Sequence, residues 1–345
     1  MSRAHLHAYN IYYAKRSGLE RPRRNVFTRL FVRFVTAQAF IWNVFVAGIV
    51  FVGANLIGKR TSFSQALWTI GRSRYHHSSP FVDLFSTVNH TMKVDATRQP
   101  ALDLCYHWDA VQERLQKERR FIELWFARIF FGPMANRRAL INRRVIVVRT
   151  LMGIFRDLRD DGVKDITMIS IASGSADAVI EAVRRARDED GIRVDVTLID
   201  LDEEALRNAL AKAKKHDLLE QFHVKHGTAR RTFLTLTDKG GLRPHVVEMV
   251  GFLDYRNDRY VIDLSRDIRE RLRDRGHYLT CNIAPNDEKA FLDWVLLWLM
   301  PFYRTEKEFA DLIVRSGFAA PCISVIRDPY FHIHTQIHCR KGCDK

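Results

Sequence analysis

Apolar stretches of strand length alternate with amphipathic helical stretches from residue 164 onward, and this alternation most limits the possible folds. The strands read ITMISIA, VDVTLID, FHVKHG, HVVEMVGF and HYLTCNI. The helices between and after them read SADAVIEAVRRARDED, DEEALRNALAKAKKH, DRYVIDLSRDIRERLRDRG and EKEFADLIVRSG. This order predicts an α/β fold whose mostly parallel sheet carries helices on both faces.

The turn after the first of these strands, ISIASGSADAV at 169–179, consists of small residues. In a sheet of this kind a ligand binds beyond the carboxyl ends of the strands, near a strand-to-helix turn. The small residues Ala172, Ser173, Gly174 and Ser175 would let the backbone approach such a ligand closely. A tight turn without a ligand explains the same residues, so the turn alone leaves both interpretations open.

An acidic residue, Asp200, ends the second strand. A carboxylate at this position can accept hydrogen bonds from both hydroxyls of a ribose. Its alternative role is to cap the next helix, but Asp202, which Glu203 and Glu204 follow, suits that role better. We therefore expect Asp200 to be free for a ligand.

With these features, roughly residues 140–340 resemble the class I S-adenosylmethionine-dependent methyltransferases. The family pattern is a small-residue loop after the first strand, an acidic residue that closes the second, and a late antiparallel hairpin. The stretch RSGFAAPCISVIRDPYFHIHTQIHCRK is similar to that hairpin. The resemblance implies a Rossmann-like, seven-stranded methyltransferase sheet over 151–345, a mainly helical N-terminal region, and S-adenosylmethionine as the cofactor.

The resemblance also implies roles for individual residues. The cofactor would be bound by residues that follow the strands: Ala172, Ser173, Gly174, Ser175, Asp200, Leu201, Thr228 and Phe252. Asp254 and Tyr255, in GFLDYRND, are the candidate catalytic residues, and Asn282 would line the same site. Asp254 is either a base or a loop anchor, and Tyr255 either orients the substrate or packs on the cofactor.

Three stretches resemble a narrower group, the bacterial enzymes of the extracellular-factor type, which methylate the carboxylate of 3-hydroxy fatty acids. They read GFLDYRNDR, TCNIAPND and WLMPFYRTEKEF. This resemblance implies a small, lipophilic acceptor with a carboxylate or a hydroxyl. A carboxylate is already nucleophilic and needs no base, whereas a hydroxyl can require one.

The chain departs from the methyltransferase pattern at four positions. Ser170 replaces the acidic residue that usually precedes the loop, and Ala172 and Ala176 replace glycines. His245 replaces the acidic start of the fourth strand. Recognition of adenine would fall to His226, Gly227 and Thr228. We expect weaker or different cofactor binding, and a nicotinamide cofactor is a poorer alternative because the full G-x-G-x-x-G pattern is absent.

The positive charge lies in the N-terminal part of the chain. Residues 1–150 carry 24 Lys and Arg against 8 Asp and Glu, whereas the rest carries 31 against 32. This asymmetry predicts an anionic partner, either a membrane surface or a nucleic acid. The basic region contains no recognisable nucleic-acid-binding module, which disfavours a nucleic acid as the partner. We expect a basic arm over 1–25 and a helical, basic region over 26–150.

Residues 37–58, AQAFIWNVFVAGIVFVGANLIG, contain neither a charged residue nor a histidine. As a helix they would extend roughly 33 Å, about the thickness of a bilayer core. Basic residues flank both ends, which disfavours a span because one basic flank would then lie outside. Interfacial or re-entrant association, a true span and a buried helix all stay open. The predicted location is the cytoplasm, peripheral or integral at the inner face of the membrane.

Several other groups give weaker signals. Five scattered cysteines predict reduced thiols and no disulfide framework. An aromatic stripe at helical spacing predicts either core or an apolar substrate pocket: Trp294, Trp298, Phe302 and Tyr303. The group Tyr75, His76 and His77 lacks the geometry of a helical metal pair. The tail FHIHTQIHC places alternate histidines on one strand face, which we expect to be exposed, and no metal site is predicted.

Two functions from other classes stay open at this point. A nucleic-acid methyltransferase would use the basic N-terminal region as an electrostatic platform. A non-catalytic, membrane-associated protein would keep the methyltransferase-like fold with a loop that no longer binds the cofactor. The sequence predicts neither the oligomeric state nor the identity of the acceptor.

Overall fold

The structure is a computed structural model that describes residues 9–22, 26–72, 86–95, 99–238, 240–296, 298 and 300–343. The chain divides into two compact units, which are described separately. The first comprises Met1–Leu19, Asn142–Pro285 and Pro301–Lys345, and the second comprises Glu20–Ile141 and Asn286–Met300. The predicted solvated group Tyr75, His76 and His77 lies outside the described residues.

The first unit contains a sheet of eight strands among its described residues. They are β1 (Asn10–Tyr13), β2 (Asp165–Ile171), β3 (Arg193–Asp200), β4 (Phe222–His226), β5 (Val246–Met249), β6 (His277–Ile283), β7 (Ile323–Arg327) and β8 (His334–Arg340). Their order across the sheet is β1-β7-β8-β6-β5-β2-β3-β4. Each neighbouring pair is parallel except the two pairs that involve β8, which runs antiparallel to β6 and to β7.

This topology confirms the predicted fold class, a Rossmann-like sheet with a late antiparallel hairpin. The predicted number of seven strands is wrong, because β1 adds an eighth strand at the edge. Asn10 lies beside Ser324 and Tyr13 beside Arg327, and the Ala14 N–H donates to the Arg327 carbonyl at 2.9 Å. The stretch NIYY, within the predicted basic arm, is rich in the β-branched and aromatic residues that favour strands.

Helices cover both faces of the sheet, as expected. Alternate residues of each central strand point to opposite faces, so Ile166 and Met168 enter one core and Ile169 and Ile171 the other. The first core contains residues of α7 (Ala135–Asp160), α8 (Asp177–Asp190) and α9 (Glu203–Lys215). The second contains residues of α10 (Ala229–Thr237), α11 (Asp258–Arg271) and α13 (Glu306–Arg315).

The second unit is helical in its described residues. It contains α1 (Val26–Leu56), α2 (Phe63–Arg72), α3 (Thr87–Val94), α4 (Gln99–Tyr106), α5 (Trp108–Lys117), α6 (Phe121–Phe130), the first turns of α7, and α12 (Lys289–Trp294). The Glu288 carboxylate accepts the N–H groups of Ala135 and Asn136 at 2.9 and 2.8 Å, which satisfies two free donors at the start of α7. The apolar segment 37–58 lies mostly within α1.

Two expectations from the sequence are wrong. The helix that contains Trp294 ends at that residue, so the four aromatic residues do not share one helix face. The five cysteines are not all reduced, because Cys322 and Cys343 form a disulfide with a Cα–Cα distance of 5.6 Å. It joins the short helical turn before β7 to the end of the chain after β8. Cys105, Cys281 and Cys339 are buried and form no disulfide among the described residues.

Candidate functional site

The small-residue turn joins β2 to α8, and every second residue from Ala172 to Ala176 adopts the left-handed backbone conformation. The φ angles are 54° at Ala172, 52° at Gly174 and 52° at Ala176. Alanine adopts this conformation at a cost of about 1–2 kcal/mol, whereas glycine adopts it freely. The turn therefore follows a path suited to glycine, with alanine at two of the three positions.

The turn also leaves room for a ligand. A Cβ added to Gly174 would have no atom within 4 Å beyond those of Gly174 and its two chain neighbours. The Ser173 Oγ is buried and has no hydrogen-bond partner among the described residues. A buried hydroxyl without a hydrogen-bond partner is costly, so Ser173 is a candidate to bond a polar group of a ligand at this turn.

Asp200 lies beside this turn at the carboxyl end of β3. Its Oδ2 accepts the Gly174 N–H at 2.7 Å, and its Oδ1 accepts the Asp202 N–H at 2.9 Å. The expectation that Asp200 would be free is therefore wrong, although Asp202 does cap α9 by accepting from Glu204 and Ala205. Each oxygen of a carboxylate has two lone pairs, so Asp200 keeps capacity to accept a hydroxyl.

The predicted adenine-side residues follow β4, the strand next to β3. Asp200 and His226 are register partners, and the Gly227 N–H donates to the Asp200 carbonyl at 2.9 Å. Gly227 has a φ of 155°, and a Cβ added there would lie 2.3 Å from the Thr232 Oγ1, so only glycine fits. Thr228 is the N-cap residue of α10, and its side chain makes no capping hydrogen bond.

The exposed residue Leu201 completes this part of the edge. Its side chain is 60% exposed, and its carbonyl lies 3.0 Å from the His226 Nε2. The predicted cofactor residues after β2, β3 and β4 therefore lie at the carboxyl ends of three adjacent strands.

The loop after β5 differs from the turn after β2 because it is largely buried and is held by hydrogen bonds. The Asp254 Oδ1 accepts the Ile283 N–H at 2.6 Å, which joins this loop to the end of β6. Burial raises the pKa of Asp254 to about 6. Phe252 stacks under the Arg256 guanidinium at 4.5 Å, and its ring meets that of Tyr260 edge-on. Of the two roles predicted for Asp254, its hydrogen bond with the Ile283 N–H supports the loop anchor. Tyr255 ends the same short helical turn, Leu253–Tyr255.

Arg304 joins the loop after β5 to the end of β6, and sequence reasoning missed it. Its side chain is buried, and it donates to the Asn282 Oδ1 at 2.7 Å and to the Asp258 Oδ1 at 2.8 Å. It also donates to the carbonyls of Leu253 and Arg256 at 3.2 and 2.6 Å. Its position in PFYRTEKEF, directly before the capping box of α13, gave a weak signal.

A buried carboxylate compensates for the missing acidic residue at Ser170. The Ser170 Oγ donates to the Glu248 Oε2 at 2.5 Å, across the register pair that these residues form between β2 and β5. Burial raises the pKa of Glu248 to about 7. The sequence signal for this pair was Glu248, an acidic residue in the otherwise apolar stretch HVVEMV.

The histidine tail forms an interior strand, so the expectation of an exposed face is wrong. His334 is 6% exposed and Gln336 is 1% exposed, because β8 lies between β6 and β7. The His338 Nε2 lies 2.8 Å from the His277 Nδ1. Burial lowers the pKa of His338 to about 4. Among the described residues no three His, Cys, Asp or Glu side chains could hold a metal ion together.

Comparison with known proteins supports the fold and nothing narrower. No protein-family profile and no curated protein sequence matches the chain. A solved structure described as a possible exported protein from Bordetella parapertussis is similar over 91% of this chain and 96% of that one, at 15% identity and a TM-score of 0.53. At this identity the likeness shows a shared fold alone.

Two solved methyltransferases are less similar. The magnesium protoporphyrin IX methyltransferase of Synechocystis, solved with bound S-adenosylmethionine, has a TM-score of 0.42 and 10% identity over 61% of this chain and 84% of that one. An S-adenosylmethionine-dependent methyltransferase from Agrobacterium tumefaciens has a TM-score of 0.42 and 9% identity over 57% and 61%. These scores are too low to assign an activity.

Proposed function

We propose that this protein transfers a methyl group from S-adenosylmethionine to a small, lipophilic acceptor. The observation that carries the proposal is the link between Gly174 and Asp200 at the carboxyl ends of β2 and β3. It lies in a sheet whose strand order and antiparallel β8 match the methyltransferase arrangement. Ligands of such sheets bind at this edge.

The residues at the edge fit the parts of this cofactor. The remaining lone pairs of Asp200 would accept the ribose hydroxyls, and the open space beside Gly174 and the Ser173 hydroxyl would receive the amino-acid part. Thr228 would approach the adenine from the start of α10, and Leu201 would cover the ribose with apolar surface. The cofactor would supply an electrophilic methyl group; the protein would orient donor and acceptor and exclude water.

The state of Asp254 supports an acceptor that needs no base. Its Oδ1 is engaged by the Ile283 N–H, and the side chain is 3% exposed, so it is poorly placed to take a proton from a substrate. A carboxylate acceptor is already nucleophilic and avoids that step. We therefore favour a carboxylate over a hydroxyl as the methyl acceptor.

Calorimetric titration with S-adenosylmethionine and with S-adenosylhomocysteine tests the proposed cofactor. We expect both to bind the wild-type protein, and Asp200→Ala to bind about 10- to 100-fold more weakly because a charged acceptor is lost. Asp195→Ala is the matched control, since Asp195 lies on the same strand but near its other end. A folded wild-type protein that binds neither compound would refute the proposal.

A further inference from the structure

The long helix α1 carries an exposed apolar stripe along its outer side. These side chains recur every three or four residues, with one gap of seven, and each is more than half exposed: Leu30, Phe34, Ile41, Phe45, Ile49, Val52 and Leu56. Soluble surfaces rarely expose contiguous apolar patches of this kind unless the patch binds something. The spacing places all seven on one face of the helix.

The opposite face of α1 is occupied by its own unit. Its buried residues also recur every three or four positions: Val32, Val35, Ala39, Asn43 and Ala47. The Asn43 Nδ2 donates to the Trp294 carbonyl at 2.7 Å, and the ring of Phe40 meets that of Trp294 edge-on at 4.6 Å. Ala47 packs against Ala66 of α2. The helix is therefore held along one side and open along the other.

Positive charges stand at both ends of the stripe. Arg29 and Arg33 are exposed near its start, and Lys59 and Arg60 are exposed directly after its end. The sequence between Arg33 and Lys59 carries no acidic or basic residue. Apolar side chains flanked by cations suit a bilayer with anionic headgroups, where basic residues reach the phosphates and the apolar face enters the acyl region.

We infer that α1 is a membrane-docking surface, and that it lies in the plane of an anionic bilayer without crossing it. A crossing helix would take one of its two basic ends through the bilayer, whereas an in-plane helix keeps both at headgroup level. Crossing would also take α12, which packs on α1, toward the hydrocarbon together with its Lys289–Asp293 ion pair. This surface does not depend on the proposed methyl transfer.

Co-sedimentation with vesicles tests the docking. We expect the full chain to bind phosphatidylcholine vesicles that contain phosphatidylglycerol, and to bind pure phosphatidylcholine vesicles at least about tenfold more weakly. The triple variant Ile41→Ser, Phe45→Ser and Ile49→Ser should lose about a hundredfold or more in affinity. Leu219→Ser is the matched control, because Leu219 is an exposed leucine of the first unit. Circular dichroism checks that each variant is folded.

Labelling distinguishes an in-plane helix from a span. Arg29→Cys places a cysteine in the first turn of α1, and Ser62→Cys places one after its end, both at exposed positions. With vesicle-bound protein, a membrane-impermeant maleimide should label both positions, whereas protection of one position would overturn the in-plane orientation. Absence of vesicle binding by the folded protein would overturn the docking. A soluble dimer that the triple variant dissociates, with no vesicle binding, would show instead that a second copy covers the stripe.

Discussion

Two loops at the carboxyl edge of the same sheet differ in what surrounds them. The turn after β2 has left-handed residues, open space at Gly174 and a buried hydroxyl without a partner at Ser173. The loop after β5 is held by Asp254 and by Arg304, which are both buried and hydrogen-bonded to neighbouring backbone. The difference supports our proposal that the first loop receives the cofactor, whereas the second loop is a rigid frame that fixes the edge.

The largest effect should follow from breaking the rigid frame. Arg304→Met removes a buried cation and leaves the Asn282 Oδ1 and the carbonyls of Leu253 and Arg256 without their donor. We expect a loss of about 3–5 kcal/mol in the free energy of unfolding, measured by urea denaturation. Arg259→Met is the control, because that side chain is 93% exposed and should change stability by less than about 0.5 kcal/mol. Similar values for the two variants would contradict the rigid frame.

The buried acid beneath the open turn should give the next largest effect. Burial raises the pKa of Glu248 from 4.5 to about 7, so the folded protein holds this proton more tightly than the unfolded chain. The resulting stabilisation is complete below about pH 4.5 and is lost as the pH rises through 7, a total of about 3 kcal/mol.

Unfolding measured between pH 5 and pH 8 checks this dependence. Glu248→Gln should flatten it by about 2–3 kcal/mol, whereas Glu270→Gln, at an exposed position, should leave it unchanged. Because the pKa of Asp254 is also raised, to about 6, part of the pH dependence of the free energy of unfolding should remain in both variants. An unchanged slope in Glu248→Gln would show that the Ser170–Glu248 pair does not hold a proton.

The smallest effect should come from removing the backbone strain of a left-handed alanine in the turn after β2. Ala172→Gly removes a left-handed alanine, and we expect a gain of about 0.5–1 kcal/mol in the free energy of unfolding by thermal denaturation. Ala178→Gly, the same substitution at a right-handed position in the first turn of α8, should instead destabilise the protein slightly. If Ala172→Gly also destabilised the protein, the left-handed path of the turn would be in doubt.

Local pattern predicted the sheet and which residues lie at its carboxyl edge, because strand alternation and strand-end residues are visible in a single stretch of sequence. Asp200 and the small-residue turn are examples. The partnership of Ser170 with Glu248 could not be predicted, because the two residues lie 78 positions apart and only the register of β2 with β5 brings them together.

Other contacts could not be predicted for the same reason, because only the fold brings their partners together. Arg304 acts on a loop and a strand end that precede it in the chain, and the Cys322–Cys343 disulfide depends on how the β7–β8 hairpin closes. The strand β1 pairs with β7, which lies more than 300 residues away. The cytoplasmic location, the partners and the roles of the individual site residues stay predictions.

Hydrogen exchange with and without S-adenosylhomocysteine tests the central claim most directly, because it reports on both loops at once. We expect peptides that cover 171–177 and 200–204 to become protected when the compound binds. Peptides that cover 253–258 should be slow to exchange in both states, because the N–H groups of Tyr255 and Arg256 donate to carbonyls of the same loop, which Arg304 holds in place. Protection confined to 253–258, or no protection at the turn after β2, would contradict the account.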